Sequence, residues 1–390
     1  MRRFAIGICA GFVAGYTAVR LFEAWSDLRE PRGPLQKDAR AYGATKRALM
    51  VAGFGRSLAA HAVVAFALSD RLPRRLRESD LPLVTAAFNA AGVVVEAILE
   101  TPVDYVEHHL IERRYGLTQQ TAPDWLRDRI KATLVNLAIS TPLIAGLLLA
   151  ARRYPRKWPL VTTMATPPLL VLLTLVAPVY VAPIFNKFEP LRGTVEERLR
   201  ALAARYGVGD ADILRFDMSR QTNKANAYVA GLLGTHRIAL ADTLLDAFTE
   251  DEIEFVVAHE LGHYVARDTW TGVVAGSIAL ASLIYGSNAL ARRSGETITT
   301  IGGFSRLGFW MQLLAVGIAP LLAAGSRAIE RRADQFALKA TGKPTWGIAA
   351  FERLRERNLA EDEQPRWVEL LIATHPSLRS RIAALRAAAV

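Results

Sequence analysis

Apolar positions in this chain gather into long runs separated by polar, basic stretches. Ala132 to Ala151, Trp158 to Phe185, Thr269 to Ala291 and Leu307 to Ser326 carry no charge. Each reaches the length of about 20 residues that takes a helix across a bilayer. Three further runs bring the expected span count to seven. Phe4 to Val19 follows Met1-Arg2-Arg3. Arg47 to Ser69 encloses Arg56 and His61. Leu81 to about Val103 encloses Glu96 and Glu100. Phe4 to Val19 suits a first span or a signal peptide, and no small-residue cleavage site precedes the Arg29 region, which favours the span. Charge inside a span is costly unless it faces protein or water. The second and third runs therefore either line a hydrated cavity or lie flat as amphipathic helices. Trp158 to Phe185 contains Pro159, Pro167, Pro168, Pro178 and Pro183, and is expected to kink or end early.

The polar stretches carry their own periodicities. Arg29 to Arg40 is a loop. Asp104 to Lys131 is polar, and its His108 and His109 point about 100° apart on a helix, a poor metal pair. Asn186 to Thr249 is the main soluble segment before the sixth span. Thr194 with Glu197 predicts a capped amphipathic helix ended by Gly207 or Gly209. Ala211 to Asp217, Ala227 to Leu232 and Arg237 to Ala241 predict strands, the last two a hairpin about Gly234-Thr235. That hairpin is either plainly structural or an edge that can hold an extended peptide as an added strand. The chain divides into residues 1–185 (spans one to five), 186–268 (soluble), 269–326 (spans six and seven) and 327–390 (a polar, helical remainder).

Within the soluble segment, Thr249 to Asp268 reads TEDEIEFVVAHELGHYVARD. Thr249 with Glu252 forms a capping box, and Ile253, Val256, Val257 and Leu261 keep a helical period. On that helix His259 and His263 lie one turn apart on one face and can share one tetrahedral Zn²⁺. Glu260 sits where a general base for an attacking water would sit in the H-E-x-x-H pattern. A catalytic zinc usually has a third protein ligand. Glu330 is the candidate, because two spans separate it from His263 and return it to the same side of the membrane. Asp334, four residues on, shares its helical face and can orient a ligand histidine. Spacing alone leaves open that Glu330 pairs with Arg331 or Arg332 on a solvated face.

Composition sharpens this picture. The 390 residues are 51% hydrophobic, and mean hydropathy is +0.18, which places the chain among integral membrane proteins. Net charge is +11. Its basic residues are scattered through loops, fitting anionic headgroups and no nucleic-acid module. Cys9 is the one cysteine, so neither a disulfide framework nor a cysteine zinc site is available. The basic turns Arg71 to Arg77 and Arg152 to Lys157 favour a cytoplasmic position for the face opposite the metal motif. The basic stretches Arg29 to Lys46 and Arg113 to Lys131 on the other face oppose that, and the side is left undecided.

Seven stretches carry a resemblance: IERRYGLTQQT (Ile111 to Thr121), APIFNKFEPL (Ala182 to Leu191), NAYVAGL (Asn226 to Leu232), HRIALADTLL, HELGH, ERRADQFA (Glu330 to Ala337) and HPSLRSRI (His375 to Ile382). In this order the set resembles the CAAX prenyl protease 1 (sterile-24-like) family of integral-membrane zinc metallopeptidases. The resemblance implies a mainly α membrane protein. Seven transmembrane helices would form a barrel around a hydrated chamber, closed by a gluzincin-like metalloprotease portion of helices and a small β-hairpin or sheet. It implies one Zn²⁺ held by His259, His263 and Glu330, with Asp334 behind them, and a zinc-activated water with Glu260 as base. It makes Asn226, Ala227 and Tyr228 the residues that would bind substrate backbone, and His375 and Arg381 candidates for stabilising the oxyanion, against a His-Pro turn that merely caps the chain. It also suggests a metal site open to the cytoplasm, against the positive-charge count. The partners implied are a peptide or protein substrate, lipidated or not, and membrane lipids, with a monomer favoured. In a bacterial cell membrane, where CAAX substrates are not expected, quality control of membrane proteins or peptide processing is the alternative. A non-enzymatic transporter or scaffold with a structural zinc is the competing class; a structural site would usually be closed by four protein ligands and would not need Glu260.

Overall fold

Polar side-chain caps start three of the long apolar helices, at Asp38, Thr121 and Thr300. The computed structural model describes residues 38–389 apart from 233 and 296, so the expected span at Phe4 to Val19 lies outside the described residues. Asp38 accepts from the amides of Arg40 and Ala41 and starts α1, Ala39–Arg71. Helix α2 is Pro82–Arg114, α3 is Ala122–Arg153 and α4 is Trp158–Phe185. Thr121 caps α3 through the Asp124 amide. The prolines expected to kink α4 or end it early do not end it. Pro167 and Pro168 lie inside the helix, and Pro178 falls in a single π turn, Ala177–Val181, before the chain winds on to Phe185. A widened turn of this kind absorbs a missing N–H donor without ending the helix.

A four-stranded sheet follows, β1 Phe188–Pro190, β2 Asp212–Phe216, β3 Ala227–Ala230 and β4 Arg237–Ala241, in spatial order β1-β2-β4-β3. Only β2 and β4 run parallel. Between β1 and β2 runs α5, Thr194–Arg205. Its N-cap is Gly193 at φ 100°, not Thr194. The Thr194 hydroxyl instead donates to Glu250 of the next helix. That helix, α6, is Glu250–Val265, and both arms of the Thr249–Glu252 capping box are formed. Arg267 then adopts a left-handed conformation, φ 57°, and turns the chain into α7, Asp268–Ala291.

The seventh expected span and the polar helix expected after it prove to be one helix, α8, Ile301–Thr341, which continues through Pro320. It lifts Glu330 out of the apolar layer without a loop. Helices α9 (Pro344–Asn358), α10 (Arg366–Leu371) and α11 (Leu378–Ala387) finish the chain. The soluble core forms between sheet and helices. Ile238 to Ala241 of β4, Leu199 and Leu202 of α5, and Phe255, Val257 and Leu261 of α6 are fully enclosed, and Phe351 of α9 and Leu385 of α11 seal the far side.

Six described helices are long and apolar enough to span a membrane. They form a ring: α1 packs on α8, α8 on α7, α7 on α4, α4 on α3 and α3 on α2. The Arg56–Glu100 ion pair, 3.0 Å, joins α2 back to α1. Between α1, α2 and α3 lies a cavity of about 390 Å³ lined by Ser57, Glu96, Glu100, Asp104, Arg129 and Asn136. Of the charges that looked costly in the spans, Arg56 and Glu100 thus face each other, and Glu96 and Glu100 face this space.

Candidate metal centre

Helical spacing brings His259 and His263 together, with 3.2 Å between their Nε2 atoms. Helix α8 crosses α6 at this point. Gly262 permits the crossing: a Cβ there would stand 3.1–3.2 Å from Phe336 and Ala333. The crossing sets Glu330 Oε2 3.3 Å from His259 Nε2, and Oε1 3.5 Å from His263 Nε2. One donor atom from each residue can be chosen so that all three lie within 4.8 Å of one another. Glu330 Oε2 is buried and makes no well-aligned hydrogen bond, its charged neighbours being His259 Nε2 at 3.3 Å and Arg381 at 4.0 Å. A buried carboxylate oxygen left unanswered is expensive, and a divalent cation between two imidazoles and a carboxylate would answer it. The residues therefore fit a metal ion.

The outer nitrogens of both rings are held by carboxylates. His259 Nδ1 lies 2.9 Å from Asp334 Oδ1, and His263 Nδ1 lies 3.0 Å from Asp268 Oδ2. Such partners fix the tautomer and turn Nε2 toward the centre. Asp334 in turn accepts two bonds from Arg381, at 2.8 and 2.6 Å, while the guanidinium rests 4.1 Å over the Phe351 ring. Asp268 is paired with Arg332. Burial disfavours a proton on His259, but Asp334 and Glu330 outweigh it and push its pKa up to about 9. Burial raises the Glu260 carboxyl, against the pull of His259 and His263.

Each residue named from the sequence has a definite place. His259, His263, Glu260 and Glu330 come together with Asp334 behind them. His375 reaches the same point, Nε2 3.4 Å from Glu330 Oε1, with a side chain 60% exposed. Partial desolvation lowers its pKa and nearby Arg381 adds to this, against the pull of Glu330. Arg381 is bound to Asp334 on the Nδ1 side of His259, and its guanidinium also comes within 4.0 Å of Glu330 Oε2. Arg332 pairs with Asp268, leaving Glu330 to the histidines. His108 and His109 are elsewhere; His109 is buried and stacked on Tyr105. Asn226 leads into β3, which packs along α6. Its carbonyl accepts from the Ala241 amide at 3.0 Å. Strand residues alternate, so the backbone groups of Ala227 and Val229 point away from β4, on the sheet's free edge.

Asp268 escaped the sequence argument. On a straight helix, residue 268 would lie about 140° round from 263. Only the left-handed turn at Arg267 returns it to His263. A carboxylate five residues after the second histidine was the one available signal.

This fold and this centre define a multi-pass membrane metallopeptidase of the H-E-x-x-H type. Residues 191–389 match the model of Peptidase family M48, and residues 37–187 match that of the CAAX prenyl protease N-terminal region, five membrane helices. The chain belongs to peptidase family M48. It is similar to the CAAX prenyl protease 1 homolog of Oryza sativa subsp. japonica, 31% identical over 78% of this chain and 73% of that one. It is also similar to the uncharacterized metalloprotease YhfN of Bacillus subtilis, 25% identical over 77% and 72%. In fold it matches the crystal structure of S. mikatae Ste24p, with a TM-score of 0.74, 21% identity, and 97% of this chain and 98% of that chain covered.

Proposed function

We propose that the chain is a zinc metalloendopeptidase in which His259, His263 and Glu330 hold one Zn²⁺ and Glu260 is the general base. The observation that carries this is the convergence of three ligand atoms within 4.8 Å around an unanswered carboxylate oxygen. Two nitrogens and a carboxylate oxygen suit zinc and leave a fourth position for chemistry. When bound, zinc polarises the scissile carbonyl and makes a nucleophile of water near neutral pH.

The chain's own residues do the rest. Glu260 takes the proton that water gives up on attack and delivers it to the departing amine nitrogen. Its raised pKa suits both halves of that transfer. Asp334 and Asp268 keep the two imidazoles aimed, and Arg381 acts as a positioning residue by fixing Asp334. His375, its pKa lowered by partial desolvation, would donate as a neutral imidazole to the developing oxyanion. The free edge of β3 receives the substrate as an added strand through the backbone of Ala227 and Val229. Asn226 and Tyr228 flank it.

The rice relative's name supplies a prenylated CAAX-type peptide as the substrate class to try first. The test is cleavage of a quenched farnesylated peptide and its unprenylated twin by protein purified in detergent. Chelation should abolish cleavage of whichever peptide is cut, and added zinc should restore it. Cleavage that survives complete metal removal would refute the reading. Faster cleavage of the farnesylated twin assigns the lipid a role; equal rates favour a membrane-protein peptidase with no lipid requirement.

A further inference from the structure

The approach to β3 is fastened to the membrane ring at a buried polar hub. Glu112, near the end of α2, is buried among three partners. It accepts from the Tyr42 hydroxyl of α1 at 2.6 Å. Lys224 lies 2.8 Å from its other oxygen, and Lys46, one turn after Tyr42, lies 3.3 Å away. Lys224 also donates to the Tyr42 hydroxyl at 2.9 Å. Lys224 stands two residues before Asn226 and three before β3.

Backbone bonds extend the same attachment. The loop after α2 contributes the Leu117 carbonyl to the Asn223 amide, 2.7 Å, and to the Thr222 hydroxyl, 2.8 Å. The Thr118 hydroxyl donates to the Gln221 carbonyl at 2.6 Å. On the other side, Asn358 of α9 accepts from the Ala225 amide at 2.8 Å. The segment 221–225 is therefore held from the spans and from the soluble core at once. A second tie between the spans and the soluble part, the Arg47–Glu361 ion pair, does not lead to β3.

From this contrast we infer that the Tyr42–Glu112–Lys224 hub is a positioning device for substrate. It sets the place of the β3 edge from the membrane helices, so that peptide binding at the metal centre depends on how α1 and α2 sit. The inference rests on β3 as the substrate strand. The hub touches neither the metal ligands nor Glu260, so metal retention should not depend on it. Its residues make one network, and their effects should not add.

The test measures the affinity of an uncleaved fluorescent peptide for full-length Glu260→Gln protein in detergent, with metal content determined on every sample. Adding Lys224→Met should weaken binding about 10-fold, because small misplacements of a positioning element are costly. Metal content should stay at the parent's level. Tyr42→Phe deletes one hydroxyl and should give a loss of about 3-fold in the same direction, which keeps the inference testable should Lys224→Met fail to fold. Lys224→Arg should recover part of the affinity. Glu361→Gln should leave it unchanged. Unchanged affinity in both Lys224→Met and Tyr42→Phe overturns the inference, as does an equal loss in Glu361→Gln. Val229→Pro removes an outward N–H of β3 and tests the underlying reading separately. If it leaves binding intact, the substrate-strand reading fails and the inference falls with it. If it abolishes binding while the hub variants do not change it, only the hub inference fails.

Discussion

On α6, Phe255, Val257, Ala258 and Leu261 are completely enclosed, whereas in the most apolar window of α4 no residue is buried. Both helices carry apolar residues, but they spend them differently. Helix α6 buries its apolar face in a shared core and so fixes the two histidines it carries. The spans pack as a ring with little common interior, leaving faces for lipid and for a polar space. Metal chemistry needs donors held to fractions of an ångström; a route for a peptide needs volume. The molecule keeps these demands apart and joins them through few elements, chiefly α8, which is span at one end and metal-site helix at the other.

Substitutions at the rigid end should have large effects, and those in the ring small ones. Asp334→Asn and Asp268→Asn, which loosen the aim of His259 and His263, should each lower metal affinity by about 10- to 100-fold, read by titration against a competing chelator. Protons should compete at the same place. The His259 pKa is pushed up to about 9, and a protonated nitrogen cannot bind metal. Affinity should therefore fall as pH drops from about 9 toward 7, by up to about tenfold per unit, and level off above about 9. Gly262→Ala drives a methyl group against Phe336 and Ala333, and should cost about 1–3 kcal/mol of stability, seen as a lower thermal midpoint in detergent. Arg56→Met breaks the 3.0 Å pair with Glu100 beside the polar cavity. Its cost should stay below that of Gly262→Ala in the same melt, with metal content unchanged, because Glu100 lines the polar cavity and keeps access to water. A ring variant as damaging as Gly262→Ala would dissolve the contrast.

What could be seen in the sequence follows the same division. The capping box and the spacing of His259 and His263 are local, and a helix preserves local spacing. The apolar runs state the spans directly. Glu330 needed topology, two spans that return the chain to one side, and the family resemblance to single it out. Asp268 depended on one left-handed residue that no periodicity announces. Strand β1 is three residues long and ends at Pro190; it exists because β2, more than 20 residues on, offers it an edge. The prolines of α4 were legible, but not which consequence they would have, a local distortion or an early end. A π turn absorbed Pro178, and the helix went on.

The central claim is that Glu260 acts on the proton while His259, His263 and Glu330 hold the metal. The direct measurement is metal stoichiometry and peptide turnover on the same preparations of wild type and Glu260→Gln. The account predicts about one zinc per chain in both, with turnover of Glu260→Gln lower by roughly 10²- to 10⁴-fold, the range of a general base. A Glu260→Gln protein that binds its metal and cleaves at the wild-type rate would contradict it.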